Sequence, residues 1–431
     1  MREVKKQQKR WLVRAMCAVL AAGSVLCGCS GQGMTKTIQL PDTENEEKGI
    51  PGIIINRIQE YVYDGHSEDN LWLGWGETGS DMVCMLRYGE KGYTYRKIDV
   101  NTKETISKVF VDDRMIFNIK IAPGGRYISY EAEVAEGAGS ELILFAAEEE
   151  KHIVLREWDE CLQGSSYVWS DDGTKLFSWQ NGDDPAFLPD NNWYVACYDM
   201  DTLKQDDKGE LSVEKKEFLM KGNGYAWRSV LPNADGSEVY VREEYESFSD
   251  SKSGEYTNES AKIKMKQENM AVSENAEEQA DGMKETQSWI LRPGSQEKKN
   301  VAEYAKSPIY PVKYTKKGLY YRSDEGKLCL AEHVEDKPSV TELFSVSNIE
   351  TCICGNGDHI FFIEWTDDMR TLQISGVRME GTEPTAKQVL YKASCESADY
   401  LVTADDSAIV LQTDAYLGDD RNSFRITELG Y

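Results

Sequence analysis

A turn followed by alternating apolar residues recurs seven times along the chain, and no other feature restricts its folding so strongly. The pattern Gly-x-x-h-x-h, with h apolar, appears at Gly79–Cys84, Gly125–Tyr130, Gly173–Ser178 and Gly236–Val241. Looser copies stand at Gly318–Tyr321, Gly357–Phe362 and Asp406–Leu411, and successive copies begin 46, 48, 63, 82, 39 and 49 residues apart. The Gly or Asp-Gly supplies the positive φ of a tight hairpin, and period-two alternation marks a half-buried strand.

Each interval holds about four strand-like runs. In the third unit these are Ser166–Ser170, Lys175–Gln180, Trp193–Asp199 and Lys216–Met220. Four short strands in a unit of roughly 40 to 50 residues are the mark of a β-propeller blade. One blade cannot bury both of its faces, so its stability comes from stacking on neighbours. The chain therefore reads as all-β, a β-propeller over residues 51–431 with seven four-stranded blades; six or eight are the alternatives. The seventh unit holds only three strands before Tyr431. The run Ile53–Tyr63 is free to supply the fourth, closing the ring and removing its open edges.

Trp169-Ser170-Asp171-Asp172-Gly173-Thr174-Lys175-Leu176 resembles the W-S-P-D-G turn of TolB-like propellers, a branch of the WD-repeat-like families. Ala122–Ile128 and Asn233–Gly236 are partial copies, and Tyr198–Thr202 is similar to the third-strand exit of those repeats. The likeness spans roughly residues 50–431, with two or three units matching well. It implies the propeller fold and leaves the activity open.

The N-terminus belongs to a different class of segment. Six basic residues (Arg2, Lys5, Lys6, Lys9, Arg10, Arg14) precede an uncharged run from Ala15 to Leu26. That run is shorter than the roughly 20 residues a membrane span needs, and with small residues at its end it reads as a secretory signal over residues 1–28. Leu26-Cys27-Gly28-Cys29 resembles the lipobox of bacterial lipoproteins. The resemblance implies cleavage before Cys29, acylation of that cysteine and an anchor on the extracytoplasmic face of the membrane; two or more acyl chains make such an anchor stable. Residues 29–50 read as a polar, flexible spacer. Residues 246–287 are dense in Glu, Ser, Lys and Asn and read as a disordered insertion between the second and third strands of the fourth unit.

Six of the 49 basic residues and one of the 75 acids lie in residues 1–28, which leaves 43 against 74, a net charge near −31. Such a surface repels nucleic acid, whose binding rests on Lys and Arg neutralising phosphates. Seven cysteines follow Cys29, an odd number that does not fit a complete disulfide framework. Most lie in apolar alternating segments, where cysteine acts as a small hydrophobe. Cys352-x-Cys354 places two thiols on one strand face, but with no second cysteine pair or histidine at ligand spacing it does not read as a zinc site.

Catalytic signatures are missing from the sequence. Gly74-Trp75-Gly76-Glu77-Thr78-Gly79 fits GxGxxG, yet a strand follows it where the dinucleotide fingerprint needs a helix. There is no GxSxG, HExxH, Walker or EF-hand pattern. No cofactor or metal is expected. The connections between second and third strands should share one face, and they carry acids: Asp183, Asp184 and Asp190, Asp367 and Asp368, Asp419 and Asp420, with Glu131, Glu133, Glu136, Asp324, Glu325 and Asp414. Trp179, Trp193 and Trp365 stand beside them. Acids ringed by aromatic planes suit a cationic peptide, a sugar or a divalent ion; the alternative is that the tryptophans pack between blades and the acids are solvated. The reading is a non-catalytic, envelope-anchored binding or scaffold lipoprotein that engages a protein, peptide or glycan. The alternatives are a metal-dependent hydrolase, lyase or lactonase in the central channel, and a sensory subunit of a membrane transporter or kinase.

Overall fold

A computed structural model describes residues 52–64, 71–75, 82–99, 102, 104–134, 139–158, 165–180, 192–221, 227–244, 286–301, 309–335, 338–346, 350–365, 371–395, 398–402, 406–417 and 421–431. The signal, Cys29, the spacer and nearly all of the insertion lie outside these residues. Within them the chain is all-β and forms a seven-bladed propeller.

The first strand, β1 (Arg57–Asp64), belongs to the last blade. Blade one is β2 (Leu71–Trp75), β3 (Met82–Gly89), β4 (Gly92–Asp99) and β5 (Thr105–Asp112). Blade two is β6 (Ile116–Ile121), β7 (Tyr127–Glu133), β8 (Ser140–Ala146) and β9 (Lys151–Trp158). Blade three is β10 (Ser165–Trp169), β11 (Lys175–Gln180), β12 (Asn192–Gln205) and β13 (Leu211–Lys221). Blade four is β14 (Trp227–Pro232), β15 (Val239–Glu244), β16 (Gln287–Arg292) and β17 (Glu297–Val301). Blade five is β18 (Ile309–Thr315), β19 (Gly318–Ser323), β20 (Lys327–Glu332) and β21 (Ser339–Ser345). Blade six is β22 (Glu350–Ile353), β23 (His359–Trp365), β24 (Thr371–Glu380), the two-residue β25 (Glu383–Pro384) and β26 (Gln388–Ser394). Blade seven is β27 (Ala398–Val402), β28 (Ala408–Leu417) and β29 (Arg421–Gly430), completed by β1.

Ring closure follows the sequence expectation. The strands β1 and β29 pair antiparallel from Arg57↔Gly430 to Asp64↔Ser423. The strand starts later than the predicted run because Ile53 leaves the ladder and sits, 3 % exposed, among Phe361, Leu390 and Leu429. The third blade matches its four predicted strands, except that β12 and β13 extend past Asp199 through a bulge and a long hairpin. The insertion falls between β15 and β16, whose ladder still pairs Glu243 with Gln287.

One expectation needs correction. The alternating strands that follow the turns are not half-buried, because their two faces pack on two neighbouring blades; outer strands such as β5 and β21 keep an exposed side. In β8, Ile143 and Phe145 point into the cluster shared with blade one, while Leu142 and Leu144 enter the cluster shared with blade three. Six such clusters fill the junctions from blades one and two to blades six and seven. Burying a Leu or Ile side chain contributes about 1.5–3 kcal/mol, so these junctions hold the ring together. Cys84, Cys197, Cys329, Cys354 and Cys395 are buried as free thiols, the hydrophobe role read from their segments.

Candidate functional site

The two faces of the ring are built differently. Connections from first to second strand form a face of tight turns. In blades two, three, four and six the turn is closed by a backbone bond: Gly125 N to Ala122 O, Gly173 N to Ser170 O, Gly236 N to Asn233 O and Gly357 N to Cys354 O. Side chains repeat the closure. Lys175 N donates to Ser170 Oγ at 3.0 Å, Glu238 N to Asn233 Oδ1 at 3.1 Å and His359 N to Cys354 Sγ at 3.0 Å.

The turn glycine does more than bend the chain. Each seats its turn on the preceding blade, and a Cβ at Gly173 (φ +68) would lie 2.3 Å from Pro123 O. One at Gly357 (φ +79) would meet Thr315 Oγ1 at 2.8 Å. Turn tips also meet over the ring axis. A Cβ on Gly355 of blade six would lie 2.5 Å from Ala234 of blade four and 2.7 Å from Asp171 of blade three. Lys313 of blade five pairs with that same Asp171 at 2.5 Å. Blades three and six are not adjacent, so this contact crosses the mouth of the central channel on the turn face.

The opposite face receives the connections from second to third strand. Residues 181–191, 245–286, 366–370 and 418–420 link those strands in blades three, four, six and seven. Asp183, Asp184, Asp190, Asp367, Asp368, Asp419 and Asp420 fall in these connections and lie outside the described residues, as does Glu136. Asp324 and Glu325 are exposed in the short turn of blade five, and Asp414 lies within β28. Glu131 is not a loop residue: it is fully buried in β7, where Asn118 Nδ2 donates to it at 2.9 Å.

The tryptophans sit beneath this face rather than on it. Trp179 and Trp193 are 8 % and 1 % exposed in the cluster between blades three and four, so they offer no plane to a ligand. They lie at the ends of β11 and β12, where the alternation turns them into the blade junction. Trp193 packs edge-on to Trp289, and the Arg228 guanidinium lies 4.6 Å over its ring. Arg228 in turn pairs with Glu243 at 3.0 Å, the two side chains 4 % and 0 % exposed. Trp365 is partly exposed and packs against the cluster between blades six and seven.

A second constellation gathers around Cys354 of the Cys352-x-Cys354 pair, with partners that sequence spacing does not bring to it. Where blade six meets blade seven on the turn face, His359 Nδ1 lies 3.0 Å from Asp406 Oδ2, and Tyr431 Oη donates to Asp406 Oδ1 at 2.6 Å. Cys354 is beside them. Its thiol donates to Asn356 Oδ1 at 2.8 Å, and burial pushes it up from the usual thiol range. Burial alone would raise Asp406 as well, but hydrogen bonds from His359 and Tyr431 outweigh it and hold that carboxyl below its ordinary value. Among the described residues, Cys354, His359 and Asp406 are a group of metal-ligating types whose ligand atoms all lie within 4.8 Å of one another. A polar cleft of about 300 Å³, lined by Arg126, Glu149, Asp172, Thr174 and Asp201, lies elsewhere on the turn face between blades two and three.

No family model matches the sequence, and no curated protein is similar to it. Solved structures with a similar fold include the β-propeller domain of the Trilobed protease from Pyrococcus furiosus. It is 13 % identical, with 84 % of this chain and 94 % of that chain covered, at a TM-score of 0.43. The β-propeller domain of Myceliophteria thermophila Cps50 (Swd1) is 10 % identical over 87 % of this chain and 99 % of that one, at 0.41. A prolyl endopeptidase is 10 % identical over 83 % of this chain, at 0.49; this chain spans 48 % of its length.

Proposed function

We propose that the chain is an envelope-anchored, non-catalytic binding or scaffold protein that engages a protein, peptide or glycan through the face of its second-to-third-strand connections. The observation that carries this reading is the asymmetry of the ring. One face is tight turns that meet over the channel; the other receives the long, acid-rich connections. Loops held on a rigid scaffold are where recognition concentrates.

The path of the chain supports the same reading. Asn56 N bonds Gly430 O at the turn-face end of β1, so the leader reaches the ring on that side. A lipid on Cys29 would then attach the tether on the turn-face side, opposite the ends of the strands that the acidic connections join. Among the described residues no helix is long and apolar enough to cross a membrane.

A pull-down from intact cells tests the reading, with the native chain beside a soluble form beginning at Ile50. The expected result is a specific partner recovered by both and lost when Asp183, Asp184 and Asp190 are changed to Asn. Recovery of the same partner by the neutralised variant would overturn the assignment of the face. Loss of membrane association in a Cys29→Ala variant is the expected result for the anchor, and retention would overturn it.

A further inference from the structure

We propose that Cys354, His359 and Asp406 form a binding site for a divalent cation of the zinc class, at the junction of blades six and seven. The donors are a thiolate, an imidazole and a carboxylate, the ligand set zinc takes in proteins. Around a tetrahedral zinc, such ligand atoms stand about 3.3–3.8 Å apart. Here all three lie within 4.8 Å of one another, so closing on an ion needs shifts of roughly 1 Å, within the reach of side-chain rotation.

The repeat itself supplies the second observation. Backbone bonds align the turns: Met200 N to Thr174 O, Met379 N to Asp358 O and Tyr431 N to Ser407 O are equivalent. In that register Cys354 stands where blade three has Ser170, and Asp406 stands where blades three and six have Gly173 and Gly357. Asp406 keeps the glycine conformation, with φ at 55°. A non-glycine residue held there is strained. The turn glycines touch the preceding blade with no side chain; Asp406 instead extends a carboxylate into blade six, towards His359. The two departures from the repeat, a cysteine in one turn and an aspartate in the next, thus arrive at one point in space.

The surroundings suit an ion. His359 and Asp406 side chains are 19 % and 10 % exposed, which gives access from solvent, while Cys354 is buried and closes the inner side. The His359 backbone N–H points at the sulfur at 3.0 Å and fixes its position beside the imidazole. Tyr431 bonds the outer oxygen of Asp406 and orients it, the task of a residue behind a ligand. On binding, the ion takes the place of the hydrogen shared by His359 and Asp406 as the imidazole shifts to its Nε2–H tautomer by exchange with solvent, the thiol proton passes to solvent, and water supplies a fourth ligand.

The test is titration of the full chain, stripped of metal by a chelator, with Zn2+ in competition with a chromophoric chelator, and separately with Co2+. Cys354→Ser and Asp406→Gly each restore the residue that other blades carry, so both turns stay folded; circular dichroism checks this. The expected result is one Zn2+ per chain, weakened by more than about tenfold in each variant. A thiolate-to-Co2+ absorption band should be present in the wild-type chain and lost in Cys354→Ser. Absence of stoichiometric binding, unchanged affinity in either variant, or survival of the band in Cys354→Ser would each overturn the site.

Discussion

Two glycines of nearly the same conformation separate local strain from packing between blades. Gly173 and Gly381 have φ of +68 and +64, but a Cβ at Gly173 meets Pro123 O at 2.3 Å whereas one at Gly381 meets nothing within 4 Å. Gly381→Ala should therefore cost about 1 kcal/mol of left-handed strain, and Gly173→Ala about 2–4 kcal/mol once the clash is added. Urea denaturation of both variants measures the difference, and equal losses would deny the turn its role in seating blade three on blade two. Asp112 makes a prediction about acid. Burial alone would raise its carboxyl, but Arg114 and the Tyr130 hydroxyl bond it and hold it below the ordinary range. Its contribution is thus complete above the unfolded value near 3.9 and is lost as pH falls through the lower folded value. Asp112→Asn should lower stability at pH 7 and flatten the further loss on acidification, read from urea midpoints at pH 7 and pH 3. At this scale the sequence was least informative about Asp406. Asp-Asp-Ser reads as one more polar turn, and its partner His359 stands 47 positions earlier, joined to it only by the stacking of two blades.

The turn motif was legible because its physical demand is local: a residue with positive φ, a side-chain oxygen one turn earlier and a strand behind. The strands were misjudged for a reason local patterns do not contain. Alternation distinguishes two faces of β8 or β11, but both faces meet another blade, so a two-sided core shows the same period as a one-sided one. Trp179 and Trp193 take the second of the two readings that their positions allow: they stand at strand ends near the connections, and the alternation carries them into the junction between blades three and four. The insertion offers a test at this scale. Since β15 and β16 pair up to Glu243↔Gln287, replacing residues 245–286 by a four-residue turn should leave the ring intact. Shortening the loop lowers its closure entropy and should raise stability by up to about 2 kcal/mol. A collapse of the cooperative transition would show that the segment packs on the blades.

Blade number and ring closure were legible because both are counts: seven turn copies, and one strand too few at the end of the chain. The face asymmetry was not, since it depends on turn tips from blades three, four and six, with Lys313 of β18, converging over the axis. Closure predicts that removing residues 1–64 leaves β29 with an unpaired edge and Ile53 missing from the last junction. Such a form should associate with concentration in light scattering, as open strand edges do, whereas removing residues 1–49 should leave a monodisperse protein. The pairing of β1 with β29 also has a mechanical side. A polypeptide pulled from its turn-face end is drawn along the axis of β1, and ladder bonds run across that axis. Such a pull strains every pair from Arg57↔Gly430 to Asp64↔Ser423 together, in shear, rather than peeling them one by one. The strand that completes the circle is therefore oriented to carry tension, so a molecule held at its N-terminus and tugged from its far face is loaded in shear along the seam that closes the ring.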